Sequence, residues 1–167
     1  MMEFTFILKY RLPDSGTDAG SLEQRLADAG CDDALLGIGR PGRLALEFCR
    51  QAASAREAVL SALADVQRAV PDAELIEVSP DLVGLTDVAD LLGMSRQNMR
   101  KLLLAHPQTF PAPVHEGSAS IWHLADILSW MQARGSQKVS SELAELAAAA
   151  LQINVAKEQE RLLQHPG

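Results

Sequence analysis

The segment around Gly93 constrains the fold of this chain most, because it predicts two short helices joined by a tight turn. Leu85 to Leu92 carries apolar residues at helical spacing, with Thr86 as the expected N-cap. Gly93 can adopt the left-handed backbone that a sharp turn requires. Ser95 is then the expected N-cap of a second helix, Arg96 to about Ala105. The pattern therefore predicts a helix pair crossing at a steep angle.

The two helices divide into an apolar and a polar side. Apolar side chains that can pack between them are Val88, Ala89, Leu92, Met94, Met99, Leu102 and Leu103. Arginine can bond guanine, glutamine and asparagine can bond adenine, and a helix N-terminus can approach phosphate. The expected DNA contacts are therefore Thr86, Ser95, Arg96, Gln97, Asn98, Arg100 and Lys101.

A small hairpin and a closing helix follow. Pro107 ends the second helix, and Phe110 to Pro113 is expected to be extended. Val114–Glu116 and Ser120–Trp122 can pair around Gly117, before a helix that carries Leu124, Ile127, Leu128 and Met131. This hairpin would be a wing whose DNA contacts are His115, Ser118 and Ser120. The hairpin contains no lysine or arginine.

The stretch from Leu82 to Met131 resembles the MerR/excisionase type of winged helix-turn-helix over about 50 of the 167 residues. The matching residues are Leu85-Thr86, Val88-Ala89, Leu91-Leu92-Gly93, Met94-Ser95, Phe110-Pro111-Ala112-Pro113-Val114, Gly117, Trp122 and Asp126-Ile127-Leu128-Ser129-Trp130. The resemblance implies that the second helix enters the major groove of DNA. It does not extend to the N-terminal part of the chain.

Residues 1–80 predict a separate α+β domain. Phe4, Phe6, Leu8 and Tyr10 alternate with other residues, as in a strand with one buried face. The expected elements continue with a helix capped by Ser21 and Gln24, a strand from Ala34 to Ile38, a strand with Leu44, Leu46 and Phe48, a helix capped by Ser54, and a strand from Leu75 to Val78. The order β-α-β-β-α-β is typical of ferredoxin-like domains. Such a domain could dimerise, sense a ligand or bind a protein.

A polar joint, Gly135 to Lys138, separates the predicted winged helix-turn-helix at 81–134 from a C-terminal helix at 139–163. Ser140 or Ser141 can cap that helix. Its Ala/Leu-rich stripe suits either packing onto a core or association with another helix, in a dimer or with a protein partner. The predicted fold class is thus α+β, with a ferredoxin-like domain, a winged helix-turn-helix and a terminal helix.

The acidity of the chain, a formal net charge of −7, lies mainly in its first half. Residues 1–80 carry eight basic and thirteen acidic residues, whereas residues 81–134 carry four and five. Because phosphate contacts supply much of the affinity for DNA, three cations on the second helix form a weak footprint in one copy. We therefore expect a homodimer.

Several classes of function find no support in the sequence. Cys31 and Cys49 lack metal-site spacing, and we expect both to be reduced and partly buried. The four histidines are not spaced as a metal site, and His106 is expected to end the second helix. No nucleophile–base constellation, cofactor motif or membrane span is recognised, so we expect no enzymatic activity, no cofactor and a cytoplasmic location. The turn Arg40-Pro41-Gly42-Arg43 is expected to be solvated rather than bound to DNA or a partner.

The sequence therefore predicts a transcription regulator that binds double-stranded DNA. Two alternatives stay open. One is an excisionase-like architectural protein or an antitoxin-type repressor. The other is an acidic protein–protein adaptor whose helix-turn-helix does not bind DNA.

Overall fold

The computed structural model describes residues 1–13, 18–37, 40–135 and 137–165. Ile38, the predicted end of a strand, and Ser136, within the predicted joint, lie outside these ranges. The described residues form an α+β protein with six helices and two antiparallel sheets, which confirms the predicted class.

The first eighty residues form a four-stranded antiparallel sheet with two helices. In chain order the elements are β1 (Met2–Arg11), α1 (Ala19–Asp28), β2 (Ala34–Gly37), β3 (Arg43–Ala52), α2 (Ala55–Ala69) and β4 (Glu74–Ser79). The strands lie in the order β2-β3-β1-β4, so β1 occupies the centre beside β3. The predicted order of elements is therefore observed.

Buried apolar residues alternate with more exposed residues along β1 and β3, so one face of this sheet is buried. Phe4, Phe6 and Leu8 on β1 meet Leu46 and Phe48 on β3, and the rings of Phe6 and Phe48 stack at 5.4 Å. Helices α1 and α2 contribute to the same core. The other sheet face is exposed at many positions.

Two expectations for this region are wrong. The N-cap of α1 is Asp18, whose carboxylate accepts from the Ser21 N–H at 3.2 Å, so Ser21 lies inside the helix. With Asp18 as the N-cap, Gln24 is no longer at the N3 position, so it bonds Asp28 one turn further on instead of reaching back. Cys31 is buried as expected, but Cys49 is exposed because it lies on the outward face of β3.

The second unit follows a buried turn at Asp81. Its elements are β5 (Leu82–Val83), α3 (Leu85–Leu92), α4 (Arg96–Ala105), β6 (His115–Glu116), β7 (Ser120–His123) and α5 (Leu124–Arg134). The three short strands form a second sheet in the order β5-β7-β6. Strand β5, which the sequence pattern did not predict, joins the start of this unit to the hairpin.

The last helix, α6 (Ser141–Gln164), packs against both units. Leu146, Ala149 and Ala150 lie in the core of the first sheet, whereas Ala147 lies in the core of the second unit. Beyond Asn154 its apolar side chains are largely exposed, including Leu162 and Leu163. Of the two predicted caps, Ser140 and Ser141, it is Ser140 that caps the helix, accepting from the Leu143 N–H at 3.1 Å.

Among the described residues, no helix combines the length and apolarity needed to cross a membrane.

Candidate nucleic-acid interface

Helix α3 spans the predicted stretch Leu85–Leu92, but its N-cap is not the predicted residue. Its N-cap is Gly84, whose N–H donates to the Asp87 carboxylate at 2.9 Å, and Thr86 is an exposed residue of the first turn. The predicted N-cap role of Thr86 is therefore wrong. The reason is tertiary: Val83 pairs with Trp122 in the small sheet, which leaves Gly84 extended at the point where the helix starts.

The turn between α3 and α4 has the predicted chemistry. Gly93 is left-handed at φ 67°, and the next amide, Met94 N–H, donates back to the Ala89 carbonyl at 2.8 Å. Ser95 then caps α4 by accepting from the Asn98 N–H at 3.1 Å. Capping engages the Ser95 hydroxyl oxygen as an acceptor, which leaves its O–H free to donate to another group.

Apolar packing fixes which side of α4 faces solvent. Met99 is fully buried, and it lies in one core with Val88 and Ala89 of α3. The polar residues predicted to contact DNA are all exposed, namely Ser95, Arg96, Gln97, Asn98, Arg100 and Lys101. The structure thus brings these six side chains onto the solvent side of one short helix and its cap.

Within this group the side chains do not all share one direction. Gln97, Arg100 and Lys101 have i, i+3 and i+4 spacing and lie on the face away from Met99. Asn98 instead lines a shallow cavity of about 350 Å³ toward the end of α5, where Arg134 and Gln137 also contribute. Lys101 belongs to the face with Gln97 and Arg100, and it also lines this cavity.

Leu104 is a surface residue that the sequence reasoning missed. It lies one further turn along the same face, at i+7 from Gln97, and is 63 % exposed. Its helical spacing from Gln97 and Arg100 was the available signal. An exposed leucine beside polar base-reading groups can contact the methyl group of thymine.

An aromatic cluster holds α4 against the hairpin and α5. Phe110 lies 5.0 Å from the ring of Trp130 and 6.0 Å from that of Trp122. The Trp122 indole N–H donates to the Pro111 carbonyl at 2.8 Å, which fixes the extended step after α4. His106 ends α4 as predicted, and its Nε2 lies 2.9 Å from Arg134 Nη1. The position of α4 is therefore set by packing between distant parts of the unit.

The hairpin forms as predicted but is only weakly suited to phosphate. His115 pairs with Ile121 and Glu116 with Ser120. His115 and Ser118 are exposed, whereas Ser120 is half-buried in β7. The exposed Glu116 carboxylate adds a negative charge next to the tip.

Metal binding finds no support in the described ranges, where no three His, Cys, Asp or Glu side chains are placed to share an ion. Comparison of the chain with protein-family models, with curated proteins and with solved structures finds no match.

Proposed function

We propose that this chain is a sequence-specific DNA-binding transcriptional regulator that reads the major groove with α4. The observation that supports this most directly is the set of exposed Arg, Gln and Lys side chains on a capped helix whose opposite face is buried. In this proposal residues 81–134 are a winged helix-turn-helix of the MerR/excisionase type. Residues 1–80 are a ferredoxin-like domain.

The spacing of the two arginines on α4 suits base reading. Arg96 and Arg100 are four residues apart, which separates them by about 6 Å along the helix axis. Successive bases on one strand are about 3.4 Å apart, so the two guanidinium groups can reach bases about two steps apart. Each bidentate contact to guanine would discriminate against a wrong base by about 1–3 kcal/mol.

The weak cationic footprint favours binding as a homodimer. Two copies would present six cations to one site, three from each copy of α4. This would double the number of phosphate contacts. A two-fold dimer would select a palindromic site, with half-sites about one helical turn apart.

Selection of bound fragments from the host genome, followed by titration of the selected site, tests the proposal. We expect the wild-type chain to enrich a short palindromic motif. The double variant Arg96→Ala/Arg100→Ala should weaken binding to that motif by at least about 30-fold, since it removes two base contacts. Its thermal stability should be nearly unchanged, because both side chains are exposed.

The matched control is Arg25→Ala/Arg56→Ala, which changes the net charge equally at two exposed arginines on α1 and α2. It should alter affinity less than about threefold, because only long-range charge is lost. Equal loss in both double variants, or enrichment that persists in the α4 variant, would contradict the proposal.

The second candidate is an acidic protein–protein adaptor. The observation in its favour is the hairpin, which carries an exposed Glu116 and no lysine or arginine. The two functions differ in their response to salt. Phosphate contacts release counterions, so DNA affinity should fall steeply as salt is raised, by a log–log slope of about −0.9 for each contact. A slope near zero favours the adaptor.

A further inference from the structure

A large apolar groove lies where the two units and α6 meet. Its volume is about 820 Å³, and it opens between the second half of α6, the edge strand β4 and the small sheet. Three of its apolar side chains are exposed to an unusual degree, with Leu82 at 49 %, Val155 at 53 % and Leu162 at 61 %. This volume is within the range of ligand-binding pockets, which often lie between structural units.

The groove has a polar floor that is built and buried. The Asp81 side chain is 1 % exposed, and its two carboxylate oxygens are both engaged. One oxygen lies 2.7 Å from His123 Nδ1, and the other accepts from Asn154 Nδ2 at 2.8 Å. Asn154 also exchanges two hydrogen bonds with the backbone of Val78, at 2.8 and 2.9 Å.

This network orients the imidazole of His123. Because a carboxylate can only accept, the hydrogen between the two groups belongs to His123 Nδ1. In the neutral ring Nε2 therefore carries the lone pair, and it forms no hydrogen bond with any described residue. His123 is one of the residues that line the groove. Nε2 is therefore the ring atom that we assign as the acceptor for a donor bound there.

The charged groups around the groove are already paired with one another. Glu77 bonds Lys9 at 3.0 Å, and Glu158 bonds Lys157 and Arg161 at 2.9 and 2.8 Å. A charged ligand would compete with these existing contacts. The surroundings therefore favour an uncharged ligand with an apolar body and one hydrogen-bond donor.

We propose that this groove binds a phenolic small molecule, with the aromatic body between Leu82 and Leu162 and the hydroxyl donating to His123 Nε2. Such a ligand would touch α6 and both strands of the β5–β7 pair at once. The inference does not depend on DNA binding, because none of its residues belongs to α4.

Calorimetric titration of the 167-residue chain with 2-naphthol tests the site. 2-Methoxynaphthalene is the matched probe, since it has the same fused rings and no donor. We expect saturable one-to-one binding of 2-naphthol and binding at least about tenfold weaker for the methoxy compound, as a lost hydrogen bond requires. The ¹⁵N resonance of His123 Nε2 should shift with 2-naphthol and not with the methoxy compound.

Two neighbouring leucines provide matched protein variants. Leu162 lines the groove, whereas Leu163 is 77 % exposed and is not among the groove residues. Leu162→Glu should weaken 2-naphthol binding at least fivefold, and Leu163→Glu should leave it unchanged. Both positions are exposed, so both variants are expected to fold.

Absence of saturable binding, equal affinity for the two naphthalenes, or equal effects of the two glutamates would each overturn the proposal. These measurements contain no DNA. Their failure would therefore leave the proposed regulator function standing, and failure of fragment selection would leave the ligand site standing.

Discussion

At the scale of single residues, Arg50 organises one end of the first unit. Its guanidinium bonds the Asp33 carboxylate at 2.7 and 2.9 Å, Asp65 at 3.0 Å and the Gly30 carbonyl at 3.0 Å. The hydrogen bonds that Arg50 donates to Asp33 lower the pKa of Asp33 and raise the pKa of Arg50. These contacts tie the segment before β2 to β3 and α2.

The buried thiol beside this cluster is kept protonated. Burial raises the pKa of Cys31 to about 11, and the negative charge of Asp65 adds to the effect. Because the thiolate is the reactive form, burial and the raised pKa both disfavour reaction of Cys31 in the folded chain.

The lowered pKa of Asp33 predicts a pH-dependent contribution to stability. Asp33→Asn should lower the free energy of unfolding by about 2 kcal/mol at neutral pH, because a charge-assisted bond to Arg50 is lost. Since the folded-state pKa lies below the ordinary value of 3.8, this difference is fully present above that pH. It should disappear as the pH falls below 3.8 through the folded-state pKa.

Urea unfolding of wild type and variant across this range measures the difference. Asp32→Asn is the control, because Asp32 is exposed and forms no bond with Arg50. A difference that stays constant down to the acid limit would refute the assignment.

At the scale of elements, the helix pair α3–α4 depends on one backbone conformation. The left-handed Gly93 lets Met94 turn back onto Ala89 while Ser95 begins the next helix. An added Cβ at Gly93 would meet nothing within 4 Å, so the space around it is open. The demand for glycine here is therefore conformational and not steric.

Gly93→Ala should destabilise the chain by about 1–2 kcal/mol, the cost of placing an L-residue in the left-handed region. Gly20→Ala should have the opposite effect and stabilise the chain by up to about 1 kcal/mol. Gly20 lies in α1 without positive φ, and alanine has a higher helix propensity than glycine. The shift of the urea midpoint checks both. Equal shifts of the same sign in the two variants would be inconsistent with this account.

At the scale of the whole molecule, α6 joins the two cores. Its side chains enter the first core through Leu146 and Ala150 and the second through Ala147. Asn154 completes the connection, since it bonds the edge strand at Val78 and the inter-unit residue Asp81. Asp81 in turn bonds His123 at the start of α5. The edge of β4 is thus covered by a helix side chain, which blocks further strand addition there.

Asn154→Ala should lower the free energy of unfolding by about 2–3 kcal/mol, because it leaves buried groups of Asp81 and Val78 unpaired. Hydrogen exchange at the Val78 amide should also become faster, since that N–H loses its acceptor. Gln152→Ala is the control, an exposed amide on the same helix. If the two variants had equal stability and equal Val78 exchange, the role given to Asn154 would be wrong.

The amino-acid sequence alone determined the local features. Alternation marked the buried faces of β1 and β3, and the caps at Ser54 and Ser95 were correctly placed. The cap of α6 was narrowed to Ser140 or Ser141, of which Ser140 is observed. Gly93 and the exposed side of α4 followed from turn chemistry and helical spacing. Each of these features depends only on residues that are close together in the sequence, so a local pattern is enough to predict it.

Tertiary structure decided the rest. The N-cap of α3 at Gly84 depends on the pairing of β5 with β7, and the position of α6 depends on its contacts with both cores. Asn154 and Val78 are 76 residues apart, and Asn154 and Asp81 are 73 apart. No local pattern encodes such a bond, because an asparagine in a helix has the same propensity whether it faces solvent or a buried carboxylate. Only the packing of α6 against β4 brought these groups within hydrogen-bond distance.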